Sequence, residues 1–310
     1  MTVAFGLRYE RMLDAILQYA RLTGRLYAGG GAPAIVYSKE RTGSVAAFHS
    51  LKAAGIPVIA THYLDRAKIV EGKLAGSARW AARHVVSRGR RAKFITLVRN
   101  PIDNMLSTFA RQEFVENRRA AGRSLADLSI VDHAELAERF LQDYLGRGKY
   151  LRELSWFDSE LRVALGIDVF DYPFDKTRGI GRIDAGPFEL LLLRTEMPDE
   201  TKAAAIAEFL GVPSFAMCER QNAVEGAPGL AGDKSAYRAH YSEFKRRVTL
   251  PPRHWDAIAN SKLASHFLTD GELKASRAGW TKSDANAGPH SHQTTAAAAS
   301  ASSTWESSET

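Results

Sequence analysis

The sequence lacks the features that mark membrane, secreted and disulfide-rich proteins. No apolar run approaches the roughly 18–20 residues needed to span a bilayer, and the N-terminus has no short apolar block followed by a small-residue cleavage site. A single cysteine, Cys218, excludes an internal disulfide framework and is typical of a reducing compartment. We therefore expect a cytoplasmic protein without a transmembrane segment.

Acidic residues are also fewer than basic residues. The chain has 42 Lys and Arg residues against 35 Asp and Glu residues, a net charge of +7, which favours anionic partners. The basic residues are scattered, with short clusters only at 88–93 and 245–247, and no zinc-finger or RNA-binding signature is present. We therefore predict no nucleic-acid partner. A phosphate- or sulfate-bearing small molecule, or an acidic glycan, fits the same charge.

Short apolar segments alternate with helical patterns in the first half of the chain. Strands are predicted at 34–37, 57–61 and 94–98, each followed by a helix. This alternation indicates an α/β fold with a mainly parallel sheet covered on both faces. The later part is mostly helical, with helices predicted near 131–147, 150–165, 199–210 and 234–248 and strands at 169–172 and 188–193.

Three regions are predicted along the chain. Residues 1–32 contain an amphipathic helix that packs on the domain or, in an alternative interpretation, makes peripheral contact with the inner membrane face. Residues 33–282 form the α/β domain. Residues 283–310 are dominated by Ala, Ser and Thr, which cannot build a core, and this tail is predicted to be disordered.

One candidate site lies between the first strand and its helix, in the turn Arg41-Thr42-Gly43-Ser44. Helix N-termini expose unpaired N–H groups and attract phosphates. Gly43 lets the backbone approach an anion closely, Arg41 supplies charge, and the two hydroxyls are potential donors. The GxxxxGK[ST] spacing of a Walker A loop is absent, which argues against an ordinary ATPase. A purely structural turn is the alternative interpretation.

A second candidate site follows the third predicted strand. Arg99 ends that strand, at the edge where open α/β sheets bind ligands. Pro101 suits the first turn of the next helix, and Ser107 lies about two turns along it. Arg99 and Ser107 can therefore converge on one phosphate. Alternatively, Arg99 pairs with Asp103 or with a backbone carbonyl, and Ser107 is merely exposed.

Together the two motifs resemble the nucleotide site of the P-loop-like sulfotransferases. In that superfamily [KR]-x-G-[ST] holds the 5′-phosphosulfate of 3′-phosphoadenosine-5′-phosphosulfate (PAPS), and R-[DN]-P with a later serine holds the 3′-phosphate. The resemblance implies a three-layer α/β/α fold with additional C-terminal helices. It assigns the first role to Arg41, Thr42, Gly43, Ser44 and Val45, and the second to Arg99 and Ser107.

A likeness to bacterial capsular polysaccharide synthesis proteins, which are themselves sulfotransferase-like, covers more of the chain. It is carried by Arg41-Thr-Gly-Ser44, Thr61-His62, Ile95-Thr-Leu-Val-Arg99, Trp156-Phe-Asp-Ser-Glu-Leu161, Leu193-Arg-Thr-Glu196, Asp233-Lys234 with Tyr237 and Tyr241, and residues 261–267. These proteins are named for surface-polysaccharide contexts. The likeness therefore implies a carbohydrate or a related hydroxyl-bearing acceptor.

His62 closes the second strand, where many sulfotransferases carry a catalytic histidine in a Lys-Thr-His segment. By this resemblance His62 removes a proton from an acceptor hydroxyl, while Arg41 and Ser44 stabilise charge on the departing nucleotide. The lysine of that segment is replaced by Ala60 here. The scheme requires no metal.

Two alternatives to a PAPS-dependent sulfotransferase stay open. A kinase-like P-loop phosphotransferase would use the same turn, although the Walker lysine and an obvious magnesium-binding partner are absent. A non-catalytic nucleotide- or glycan-binding protein in polysaccharide assembly is favoured by the replacement at Ala60.

Overall fold

The computed structural model describes residues 16–71 except 18, 25, 29 and 30, together with 76–117, 130–217 and 234–280. The predicted tail at 283–310 lies outside these ranges. Of the predicted N-terminal helix, residues 19–24 form one continuous helical stretch, in which Leu22 is fully buried. None of the helices in these described ranges is long and apolar enough to cross a membrane.

A five-stranded sheet forms the centre of the fold, with the order β2-β1-β3-β5-β4. Strands β1, β2, β3 and β5 are parallel, and β4 pairs antiparallel with β5 at the edge. The strands are β1 (Ala34–Tyr37), β2 (Val58–Thr61), β3 (Ala92–Val98), β4 (Ile180–Ala185) and β5 (Phe188–Arg194).

Helices cover both faces of this sheet, as the sequence predicts. Alternate residues of the buried strands enter different apolar clusters: Ile35 and Phe94 pack with Trp156 and Phe267, whereas Val36 packs with the helices on the opposite face. Since side chains alternate along a strand, this division demonstrates three layers. The helices are α1 (Ser44–Ala53), α2 (Arg66–Glu71), α3 (Gly76–His84), α4 (Pro101–Arg111), α5 (Ile130–Arg139), α6 (Tyr150–Leu154), α7 (Arg162–Leu165), α8 (Asp199–Leu210), α9 (Lys234–Arg247), α10 (Pro252–Ala259), α11 (Lys262–Phe267) and α12 (Asp270–Trp280).

A separate helical cluster packs beside the sheet. Phe109 of α4, Phe140 after α5 and Phe244 of α9 are its aromatic centre, with ring centroids 5.3–6.0 Å apart. Both α4 and α5 continue into π-helical turns, at Gln112–Asn117 and Phe140–Leu145. This cluster matters for the site because it places α4 and α9 beside the carboxyl ends of the strands.

Two sequence predictions need correction. The strand predicted at 169–172 is wrong: Val169–Asp171 forms a 3-10 turn, because the Asp168 side chain accepts a hydrogen bond from Phe170 N and caps it. The prediction also missed β4, whose alternating burial reflects an edge strand with one face covered. The strand predicted at 188–193 is confirmed as β5.

Candidate anion-binding site

The turn after β1 has an unusual backbone. Gly43 has a φ of 86° and Arg41 a φ of 65°, so both lie in the left-handed region. A glycine adopts that conformation freely, but a residue with a Cβ is strained there by about 1–3 kcal/mol. Arg41 is the only non-glycine residue with positive φ in the described ranges. Such strain persists where surrounding contacts fix the residue, and the contacts of Arg41 are the centre of this site.

Arg41 joins the two predicted motifs directly. Its Nε donates to Ser107 Oγ at 3.1 Å, and its Nη2 lies 3.5 Å from the hydroxyl of Tyr237 on α9. Arg99 Nη1 in turn donates to the Arg41 carbonyl oxygen at 3.1 Å. The predicted meeting of the motifs is therefore present, with one difference: Ser107 contacts Arg41 rather than Arg99.

The sequence left open a pairing of Arg99 with Asp103 or with a carbonyl. The carbonyl pairing is formed, with Arg41, and the pairing with Asp103 is not. Asp103 accepts instead from Lys245 Nζ of α9 at 2.6 Å. Ser107 is buried rather than exposed. The Asn100 side chain caps α4 by accepting from Ile102 N at 3.0 Å, so the sequence Asn-Pro after Arg99 fixes where this helix starts.

Positive charge accumulates around Arg41. Within the described residues, the hydrogen bonds of the Arg41 and Arg99 side chains go to hydroxyls and a carbonyl, and none goes to a carboxylate. Burial lowers the pKa of Arg41, and the nearby charges of Arg111 and Arg99 lower it further. Arg111 has the Glu116 carboxylate 3.6 Å away. Arg41 and Arg99 have no carboxylate hydrogen-bonded to them among the described residues, which favours an external anion as their counter-charge.

The remaining residues of the turn shape its backbone. Thr42 is buried and its Oγ1 donates to the Lys39 carbonyl at 2.7 Å, so this hydroxyl holds the turn closed. Ser44 and Val45 are the first two residues of α1, where helical N–H groups have no partners inside the helix. Val45 is exposed and Ser44 is buried.

Sequence reasoning missed a buried polar group beside this turn. Lys39 Nζ forms an ion pair with Glu153 of α6 and donates to Asn104 Oδ1 of α4 at 2.5 Å. Asn104 Nδ2 donates to the Glu40 carbonyl at 2.9 Å, which ties the turn to α4. Glu153 is only 6% exposed. No local spacing could reveal this pair, since its members are 114 residues apart.

Thr195 is a second residue that sequence reasoning missed. Directly after β5, its Oγ1 donates to the Thr42 carbonyl at 2.6 Å and its N–H donates to the Val98 carbonyl at 2.8 Å. One residue thus braces both the turn after β1 and the strand end that carries Arg99. Its methyl group lies 3.4 Å from where a Cβ on Gly43 would be, which is about an ordinary van der Waals distance, so the glycine is needed for its φ of 86° rather than for packing.

His62 lies at the end of β2, as the sequence predicts. Its Nδ1 is 2.6 Å from the Ser38 carbonyl oxygen. Because a carbonyl only accepts, Nδ1 must carry the hydrogen, and in the neutral ring Nε2 is then the unprotonated nitrogen. Ala60 is part of the apolar packing on the α1 face of the sheet.

A cleft opens beside the turn after β1 and the end of β3, with about 370 Å³ of empty space including its solvent-open part. Lys39, Arg99 and Glu153 line its polar side, while Trp156 and Phe157 form part of its apolar wall. Both aromatic residues are otherwise buried, and Trp156 Nε1 donates to the His62 carbonyl at 3.3 Å. The structure thus places them mainly in the core, at the boundary of the cleft.

The fold and the contacts around Arg41 define an α/β protein with a cluster of arginines where its parallel strands end. A family model described as "Putative capsular polysaccharide synthesis protein" matches residues 136–269, less than half of the chain. No curated protein matches the sequence. The matched segment includes Glu153, Thr195 and Tyr237 but neither Arg41 nor Arg99, so the family match and the two arginine motifs are separate observations.

Proposed function

We propose that this protein is a sulfotransferase that moves a sulfuryl group from PAPS to a hydroxyl of a carbohydrate, such as a capsular or surface polysaccharide. One observation carries the proposal. Arg41 and Arg99, from loops far apart in sequence, come together through direct hydrogen bonds at the carboxyl edge of the sheet, without a carboxylate partner among the described residues. PAPS presents two anionic groups, and this edge offers two cationic loops.

The donor would bind with its 5′-phosphosulfate on the turn before α1. There Arg41, the Ser44 hydroxyl and the free N–H groups of the first helical turn can stabilise charge as it develops on the departing phosphate. Arg99 and Ser107 would contact the 3′-phosphate. The strained backbone of Arg41 supports this assignment, because strain of this kind concentrates at binding sites.

The reaction would be an in-line displacement at sulfur. The acceptor oxygen forms a new S–O bond while the bond from sulfur to the 5′-phosphate oxygen breaks, and the nucleotide leaves with the electron pair. His62 Nε2 would take the acceptor's proton, and the Ser38 carbonyl would stabilise the resulting imidazolium through Nδ1–H. Positioning and charge stabilisation would supply most of the rate enhancement.

The nature of the acceptor rests on two supports. The family matched by residues 136–269 is named for capsular polysaccharide synthesis, and the net charge of +7 suits an acidic glycan. The cleft lined by Arg99, Glu153 and Trp156 adjoins the Arg41 turn and is the natural entrance for such a hydroxyl.

Calorimetric titration with adenosine 3′,5′-bisphosphate and with ATP tests the donor site. We expect a clear preference for the bisphosphate, and about tenfold weaker binding in a folded Arg99→Ala variant because one charged hydrogen-bond donor is lost. A preference for ATP would instead favour a phosphotransferase. Equal binding of both would contradict the proposal.

Sulfate transfer to a panel of surface glycans tests the chemistry. The variant His62→Ala should bind the bisphosphate normally and lose about 100-fold or more of the transfer rate, as expected for a general base. If the protein binds the bisphosphate and transfers sulfate to no glycan, the non-catalytic alternative is favoured. Undiminished transfer by the variant would remove His62 from the mechanism.

A further inference from the structure

Helix α9 contributes a wall to the Arg41 site that neither arginine motif contains. Tyr237 and Tyr241 lie one turn apart on this helix and stack with their ring planes 7° apart and their centroids 6.2 Å apart. Tyr237 is 5% exposed, and its hydroxyl is 3.5 Å from Arg41 Nη2. Tyr237 is therefore held against the Arg41 turn, and the partly buried Tyr241 packs on Tyr237.

The two hydroxyls lie in the positive field of the arginine cluster. Burial raises the pKa of Tyr237, while the charges of Arg41, Arg111 and Arg99 oppose that change. Burial likewise raises the pKa of Tyr241 to about 12, with Arg99 the strongest opposing charge. Each phenol thus stays protonated at neutral pH and is a hydrogen-bond donor.

The hydroxyl of Tyr241 is buried and has no hydrogen-bond partner within the described part of the chain. A buried, unsatisfied hydroxyl is costly, so such groups call for a specific explanation. Here the group is one turn from a tyrosine that contacts Arg41, and the charges of Arg99 and Arg41 act on it. The carboxylate of Asp103 also acts on it, but Asp103 accepts from Lys245. An anion among the arginines would provide the missing acceptor.

We propose that Tyr237 and Tyr241 are ligand-binding residues that donate hydrogen bonds to a phosphate monoester held by Arg99 and Ser107, next to Arg41. The inference rests on the proposed function and extends it, since the donor's 3′-phosphate becomes the recognised group and α9 becomes part of the nucleotide site. The tyrosines would then make the site selective for a nucleotide that carries a second phosphate.

The variants Tyr237→Phe and Tyr241→Phe test this, because each removes one hydroxyl and keeps the ring. Calorimetry with adenosine 3′,5′-bisphosphate should show affinity reduced about tenfold in each, with affinity for adenosine 5′-monophosphate unchanged. Tyr150→Phe is a matched control: this ring belongs to the same apolar cluster but packs on His254, 6.0 Å between centroids. It should bind both nucleotides like the unsubstituted protein.

A second measurement separates binding from a structural role. Without ligand, Tyr241→Phe should unfold at the same temperature as the unsubstituted protein or higher, because it removes a hydroxyl without a partner. If both variants keep full affinity for the bisphosphate, the inference is wrong while the proposed function stands. If the unsubstituted protein shows no preference for the bisphosphate over ATP, the proposed function fails, and this inference fails with it.

Discussion

Arg194 is the last residue of the parallel strand β5, and Arg41 lies in the turn after the parallel strand β1, yet their surroundings are opposite. Arg194 is 4% exposed and donates to the carboxylates of Glu196 and Glu272, at 3.0 Å each, and to the Phe267 carbonyl at 3.0 Å. Burial alone would lower the pKa of Arg194, but these carboxylates raise it. Arg41 has hydroxyl partners, and burial with neighbouring arginines lowers its pKa.

This comparison distinguishes two uses of a buried cation. The fold neutralises Arg194 with its own carboxylates, and the resulting contacts join β5 to α11 and α12. At Arg41 no carboxylate of the described residues hydrogen-bonds to the guanidinium, and the backbone is strained. We therefore expect substitution at Arg194 to change stability, and substitution at Arg41 to change ligand binding.

The largest effect is expected for Arg194→Met, which keeps much of the apolar stem and removes the guanidinium. Two carboxylates and a carbonyl then lose their shared donor, so the free energy of unfolding should fall by about 2–4 kcal/mol. Urea denaturation measures this. Arg182→Met, on the exposed side of β4, is the control. Its guanidinium lies 3.8 Å from Glu189 and 5.3 Å from the centre of the Phe209 ring, so its loss should cost less than about 1 kcal/mol. Equal losses in the two variants would contradict a structural role for Arg194.

At Arg41 the expected change is in affinity. Arg41→Ala should weaken binding of adenosine 3′,5′-bisphosphate by about 2 kcal/mol, because a cation that donates to a phosphate is lost. Arg41→Gly should lose the same affinity but be more stable than Arg41→Ala by about 1 kcal/mol, since only glycine adopts a φ of 65° freely. Calorimetry and urea denaturation give the two quantities. Equal stability of the alanine and glycine variants would show that the backbone is not strained.

Thr195 follows Arg194 in the chain and contacts the turn that carries Arg41. Its substitution should therefore change both stability and ligand binding. Thr195→Val removes the hydroxyl that donates to the Thr42 carbonyl, so stability should fall by about 1 kcal/mol. Because that hydrogen bond also fixes the Arg41 turn, bisphosphate affinity should fall severalfold. Thr195→Ser keeps the hydroxyl and should restore affinity. Equal losses in the serine and valine variants would show that the hydroxyl is not what fixes the turn.

The sequence predicted the parts of this molecule that depend on local patterns. Four of the five strands follow from apolar runs, and the positions of Arg41, Arg99 and His62 at strand ends follow from those strands. The edge strand β4 was missed because Gly181 and the charged residues at 182 and 184 interrupt its apolar pattern. The opposite error occurred at 169–172, where buried apolar residues form a turn.

The contacts that make the surroundings of Arg41 different from those of Arg194 could not be predicted in the same way. Tyr237 meets Arg41 across 196 residues of chain, and Glu272 meets Arg194 across 78. The sequence around each arginine is similar in kind, a strand followed by polar residues, so it predicts a charge at the sheet edge without saying what neutralises it. Only packing of α9 and α12 against the strand ends decides that.

The smallest effect is expected in the pH dependence of stability, which tests the carboxylate partner of Arg194. Burial alone would raise the pKa of Glu272, but hydrogen bonds from Arg194 and Thr269 lower it below its ordinary value of 4.5. A carboxyl whose pKa is lower in the folded state stabilises the fold fully above that ordinary value, and the contribution is lost as pH falls through the lowered pKa. The loss of stability below about pH 4.5 should therefore be shallower in Glu272→Gln than in the unsubstituted protein. Urea denaturation between pH 6 and pH 3 measures the two slopes.

Arg41→Ala should keep the slope of the unsubstituted protein, because no carboxylate in the described chain hydrogen-bonds to Arg41. An altered slope in that variant would mean that a carboxylate neutralises Arg41 after all.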